Sequence, residues 1–280
     1  MITSALERLN ELVRGPDQDL DLAEAALLLA TTEYPALDVP AYLAQLDELA
    51  ARLSERLPHT ADLEQRVVSL NEFLFEELGF SGNTDNYYDP RNNFLNEVLD
   101  RKLGIPITLC ILYMEIGRRV GLELEGVSFP GHFLVKFATD EGDVVLDPFA
   151  GGVPLTEEEL VDRLEDTYGQ HRIDNSALPQ LLAAASKRDI LVRMLRNLKV
   201  IYLHHERFEK ALDVINQILL IGPELAEEVR ERGELYERLE CHRSALLDYQ
   251  RYLRLEPQAP DLADIRNRII ALEPTAHRLN

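Results

Sequence analysis

Apolar residues recur at helical spacing through residues 1–78 of this chain. "DLAEAALLLATTEYP" stops at Pro35, "VPAYLAQLDELAARLSERL" stops at Pro58, and "DLEQRVVSLNEFLFEELGF" is closed by Gly79. These stretches read as helices, each with a breaker at its end. The period is then lost in "SGNTDNYYDPRNNFLNEVLDRKLGIP", whose Gly, Asn, Asp and Pro content predicts turns, with Tyr87, Tyr88 and Phe94 as side chains such a loop can bury. Helical spacing returns in "ITLCILYMEIGRRVGL", with Pro106 suited to a first turn and Gly121 to a stop. "EGVSF", "HFLVKF" and "DVVLDPF" then read as strands separated by turns.

From about Ser186 the pattern is wholly helical and repeats every 34 residues: Tyr202 recurs as Tyr236, Ala211 as Ala245 and Pro223 as Pro257. Small residues at 211 and 245 allow close helix approach, and Gly233 stands where the previous period has Lys199. These landmarks resemble a pair of tetratricopeptide repeats, with "APDLADIRNRIIALEP" as a terminal capping helix. The expected fold class is α+β and mainly helical. Residues 1–78 form an N-terminal helical region, 79–185 a core of one long helix and a small antiparallel sheet, and 186–280 the helical repeats.

Composition narrows the partners. Of the 280 residues 46% are apolar, enough for a real core, and the formal net charge is −21. That field repels phosphate backbones and anionic lipid surfaces, so neither nucleic acid nor membrane is an expected partner. Two distant cysteines, Cys110 and Cys241, make no disulfide framework and fit a reducing compartment. With no leader-like N-terminus and no apolar run of spanning length, a cytoplasmic location is expected. Neither a metal nor another cofactor is expected: His242 beside Cys241 lacks a second ligand pair at zinc spacing, and no glycine-rich phosphate cradle is present.

The chemistry that stands out is His132, at the entrance to "HFLVKF" after a Pro130-Gly131 turn, and Asp147, which ends "VVLD" fifteen residues later. A strand–turn–strand path brings the two to one sheet edge, where a carboxylate orients an imidazole. Singly, each also reads as structural: a solvated histidine beside a turn, and a turn-forming aspartate before Pro148.

A helix, a His-bearing strand and a strand ending in Asp-Pro resemble the transglutaminase-like superfamily, a circular variant of papain-type cysteine chemistry. "YYDPRNNFLNEVLDRKLGIPITL", "GVSFPGHFLVKF" and "LDPFAGG", followed by the repeats, resemble more closely the bacterial SirB-type branch, over nearly the whole chain. The resemblance implies a Cys-His-Asp relay with its cysteine at the N-terminus of the core helix, one helix-length before the closing glycine. Helix amides there lower a thiol pKa and supply oxyanion donors. Counting back from Gly121 lands on Pro106, which has neither a nucleophile nor an N–H. Thr108 and Cys110 are the nearby candidates. Thr108 needs a strong base, and Cys110 sits among apolar neighbours that suit packing.

Two further site candidates follow. Tyr87, Tyr88, Asp89, Arg91, Asn92 and Asn93 either cap turns or line a cleft beside His132, where Arg91 would hold a carboxylate or phosphate. In the repeats, Arg193, Arg196 and His204 fall where a concave groove is expected, with Lys187, Arg188 and Lys199 close by. They form either a groove for an acidic peptide or a face neutralised within the chain. Three readings remain: a non-catalytic interaction or regulatory module, a ligand- or peptide-binding cleft without turnover, and a hydrolase or acyltransferase using Cys110 or Thr108 with His132 and Asp147. The repeats are where a protein or peptide partner is expected.

Overall fold

The N-terminal helices begin where the chain offers a short polar side chain to the first free amides. Ser4 caps α1 (Ala5–Arg14), Asp21 caps α2 (Leu22–Ala30), Asp38 caps α3 (Val39–Ser54) and Asp62 caps α4 (Leu63–Asn71). Apart from Glu24, every residue of α2 is buried, so this helix is core on all sides. The α4 helix runs on as a π-helical turn, Glu72–Glu77, which buries Phe73 and Leu74.

The computed structural model describes residues 4–58, 60–169 and 177–276, and the chain divides into two compact units, Met1–Met194 and Leu195–Asn280. In the first, the turn-rich stretch holds β1 (Ser81–Gly82), α5 (Leu95–Arg101) and β2 (Leu103–Gly104), and β1 pairs with β2 in parallel. The central α6 (Pro106–Arg119) starts with Pro106 in its first turn and is buried from Pro106 to Gly117. An antiparallel sheet follows in the order β3 (Glu125–Val127), β4 (Leu134–Thr139), β5 (Gly142–Asp147) and β6 (Val153–Leu155). Its register pairs Val135 with Leu146 and Asp147 with Val153. Next come α7 (Glu157–Tyr168), α8 (Leu178–Leu181) and α9 (Lys187–His204). Val127, Phe129, Leu134 and Val145 of the sheet region form one apolar cluster with Leu160, Leu164 and Leu178.

The second unit takes the end of α9 and adds α10 (Phe208–Ile221), α11 (Ala226–Arg238), α12 (His242–Leu255) and α13 (Leu262–Ala276). The 34-residue period is geometric as well as sequential. The starts and the ends of α10 and α12 are both one period apart, and Glu206 and Glu240, one period apart too, both take positive φ in the turns before them. Ala211 and Ala245 are wholly buried, and a Cβ on Gly233 would stand 2.8 Å from the Tyr249 ring. The small residues of the period therefore sit where helices touch. The architecture is α+β and mainly helical, as expected.

Candidate functional site

The β4–β5 register sets Asp147 beside the start of β4, and the Pro130-Gly131 turn returns the chain so that His132 meets it. Gly131 has a φ of +71°, and a Cβ there would stand 2.7 Å from Thr167 Oγ1, so only glycine fits this corner. His132 Nε2 lies 2.9 Å from Asp147 Oδ1. The same oxygen accepts the Phe149 amide at 3.0 Å, and Oδ2 accepts Arg163 Nη1 at 2.8 Å. Burial alone would raise the Asp147 carboxyl. Its hydrogen bond and charge contact with His132, joined by Arg163, outweigh that and hold it below the usual carboxylate range. Among the described residues His132 Nδ1 makes no hydrogen bond, and the ring packs edge-on to Phe149 at 5.9 Å. That leaves one ring nitrogen oriented for a further partner.

Neither candidate nucleophile is available to it. Cys110 is fully buried and its thiol donates to the Phe133 carbonyl at 3.4 Å. Burial, with the Asp147 charge adding to it, pushes the thiol well above its ordinary value. Thr108 is also fully buried. Its hydroxyl accepts the Ile105 amide at 3.1 Å and lies 2.8 Å from the Asn92 carbonyl, joining the start of α6 to the preceding loop. Pro106 occupies the first helical position.

That loop is built on Asn92, which has no exposed surface. Its side chain joins Asn83 Nδ2 at 2.9 Å and the carbonyls of Asn86 and Tyr87 at 2.8 and 3.1 Å. Asp89 caps the Arg91 amide and takes the Arg91 guanidinium at 2.7 Å, with Arg101 at 3.5 Å, so the charge of Arg91 is already matched. Asn93 is buried, with both polar side-chain atoms unbonded among the described residues. Tyr87 and Tyr88 are both exposed, Tyr88 the more so, and the Tyr87 ring meets Phe149 at 6.2 Å. The loop therefore delivers Tyr87 to the His132 site, through Phe149, and uses Asn92 and Asp89 to hold itself together.

The structure separates the three repeat-groove candidates. Arg193 lies in the first unit, where its Nη2 donates to the carbonyls of Phe129 and His132 at 2.8 and 2.6 Å and its guanidinium lies 5.6 Å from the Phe133 ring centre. It supports the His132 turn from behind. In the second unit Arg196 pairs with buried Glu228 at 2.6 Å, and neighbouring Lys199 pairs with Glu231. His204 is exposed and packs edge-on to His205. Lys187 and Arg188 contact Asp17 and nearby backbone carbonyls, so much of this basic island is neutralised within the chain.

Arg163 was not among the sequence candidates. A signal existed: in α7, Leu160, Arg163 and Leu164 share one face, and a single arginine on an apolar stripe needs a partner. Among the described residues no group of three or more His, Cys, Asp or Glu is arranged to hold a metal ion, and no helix is long and apolar enough to cross a membrane.

Comparison with known proteins places this geometry. Residues 40–196 match the transglutaminase-like superfamily and residues 198–270 the tetratricopeptide repeat. The chain is 41% identical over 263 residues to a UPF0162 protein of Xylella fastidiosa strain Temecula1, covering 94% of each. It is 32% identical over 263 residues to a UPF0162 protein of Vibrio cholerae, covering 91% of this chain and 95% of that one. A shorter likeness, 34% over 146 residues, joins 49% of this chain to 22% of F-box only protein 21 of Homo sapiens. Because the match covers more than half of the chain, with the helical repeats following it in sequence, the chain belongs to the transglutaminase-like superfamily.

Proposed function

We propose that this protein is a non-catalytic interaction module: a transglutaminase-like core that binds without cleaving, joined to a repeat platform for a protein or peptide partner. One observation carries the reading. The cysteine that shares the core with His132 and Asp147 is sealed from solvent, its thiol engaged by a backbone carbonyl and its ionisation disfavoured. A nucleophilic thiol needs a cationic or amide-rich, accessible setting; Cys110 is buried, and the nearby Arg193 charge does not overcome the effect of burial and Asp147. The repeat half supports the reading by its match to tetratricopeptide repeats, helix pairs that serve widely as protein-binding surfaces.

The His132–Asp147 contact favours a second reading, a thiol hydrolase or acyltransferase in which Cys110 is released from Phe133 and turned toward Nδ1. Alkylation separates the two. In a Cys241→Ser background, iodoacetamide should label Cys110 only after denaturation, at every pH tested, with or without His132→Ala. Fast native labelling, with an apparent pKa below the ~8.5 of a free thiol and lost in His132→Ala, would establish an activated thiolate and overturn the non-catalytic reading.

A further inference from the structure

Among the described residues, the core holds a cation with no counter-charge. Arg193 is partly buried, and among the described residues no carboxylate lies within ion-pair distance of it. Its Nη2 is spent on the carbonyls of Phe129 and His132, whereas Nε and Nη1 have no acceptor among those residues. A guanidinium carries five N–H donors, so three remain to be satisfied. On a chain of net charge −21, with Asp89, Asp147 and Glu228 each facing its own arginine, the lack of an acid at Arg193 is conspicuous. Withdrawing such a charge even partly from water has a cost that an anionic ligand would offset.

The neighbours fit a ligand. Tyr87 is near enough for the Arg193 charge to act on its phenol, which burial otherwise pushes upward. Its hydroxyl has no hydrogen bond among the described residues, and its ring follows Phe149 and His132 in one aromatic row. We propose that Arg193, with the Tyr87 hydroxyl and the free His132 Nδ1 beside it, anchors a subsite for a single carboxylate, such as the C-terminal carboxylate of a peptide. The charge count selects the class. Arg163 offsets Asp147, and Arg91 and Arg101 are matched by Asp89 and Glu97, which leaves one positive charge uncompensated among the described residues; it matches a monoanion and under-compensates a phosphate dianion. The subsite rests on the reading of the core as a binding domain and specifies what it binds.

The test uses the full-length protein and two probes, acetyl-Ala-Ala-Ala and its C-terminal amide, followed through the arginine Nε–Hε and tyrosine ring NMR signals, with inorganic phosphate as a third arm. The free acid should shift the Arg193 and Tyr87 signals saturably, and the amide should not. Arg193→Gln should weaken binding roughly tenfold or more, Arg193→Lys less, and Tyr87→Phe by a few-fold, consistent with lost charge-assisted hydrogen bonds. Tyr87→Phe leaves the Arg193–carbonyl bonds untouched, so it tests the subsite even if Arg193→Gln fails to fold. Equal response to acid and amide, acid binding that survives both Arg193→Gln and Tyr87→Phe, or binding of phosphate without the acid would each overturn the proposal. Inert Cys110 with no acid binding would remove this subsite alone; an activated Cys110 with acid binding would remove the non-catalytic reading and leave the subsite standing.

Discussion

Asp147 decides more at its own scale than any other side chain of the core. A carboxylate with 2% of its side chain exposed is tolerable only when its oxygens are engaged, and here His132, the Phe149 amide and Arg163 engage them. Because the folded-state carboxyl titrates below the unfolded value of about 3.9, the charge stabilises the fold above that pH and loses this effect as pH falls through the folded value. Asp147→Asn should lower stability near neutral pH by about 1–3 kcal/mol, chiefly by leaving Arg163 without its charge partner. The gap in urea midpoint between wild type and variant should hold from about pH 7 to 5 and close below about 4. A gap independent of pH would mean that the charge of Asp147 is not what the fold uses. The two thiols give a parallel check on burial: Ellman's reagent should titrate Cys241, which is exposed, in the native protein and reach Cys110 only in denaturant.

At the scale of elements, the site is held by a clamp between α4 and the turn after β5. Asn71 Oδ1 accepts the Tyr113 hydroxyl at 2.8 Å and Asn71 Nδ2 donates to the Gly152 carbonyl at 3.0 Å, while the Gly152 amide returns to the Asp147 carbonyl at 2.8 Å. Gly152 takes a φ of +76°, and a Cβ there would stand 2.0 Å from Asn71 Oδ1. Gly152→Ala should therefore cost about 2–4 kcal/mol, combining left-handed strain with the loss of the Asn71 bonds. In Asn71→Ala the same glycine change should cost less, a coupling that a double-mutant cycle measures and that independent effects would lack. This clamp also marks how far the sequence could be read. The helices that stop near Pro35, Pro58 and Gly79, the core helix from Pro106, the strand that follows His132 and the strand that ends in Asp147 were legible because period and breakers agree, whereas α1 was not among the helices read. The strand "VPL" and α7 were not read: three residues give no alternation to count, and "EEELVDRLEDTY" resembles a solvated charged helix until Arg163 is seen to face Asp147. The 34-residue period located the repeats, but period alone could not tell that Arg193 belongs to the core.

For the whole molecule, the question is where the core ends. The 186 boundary marks the start of the repeat pattern, yet the first compact unit runs to Met194, partway along α9. The physical reason lies in the first turns of that helix. Asp17 accepts the amides of Lys187 and Arg188 at 2.9 and 3.1 Å, a cap supplied from 170 residues earlier in the chain. The Lys187 ammonium donates to the Gln18 and Leu20 carbonyls, and the Arg188 guanidinium to that of Val13. Ile190 and Leu191 are buried, and Arg193 secures the His132 turn. A fragment ending at residue 185 discards all of this, and one ending at 196 keeps it. The longer fragment should melt higher by about 5 °C, since about 2 kcal/mol moves a midpoint by roughly 4–8 °C in a domain of this size. Asp17→Ala should lower the midpoint of the longer fragment and leave the shorter one almost unchanged, because only the longer has the amides that Asp17 caps. Equal midpoints for the two fragments would place the end of the core at 185 and make the first turns of α9 part of the repeat platform.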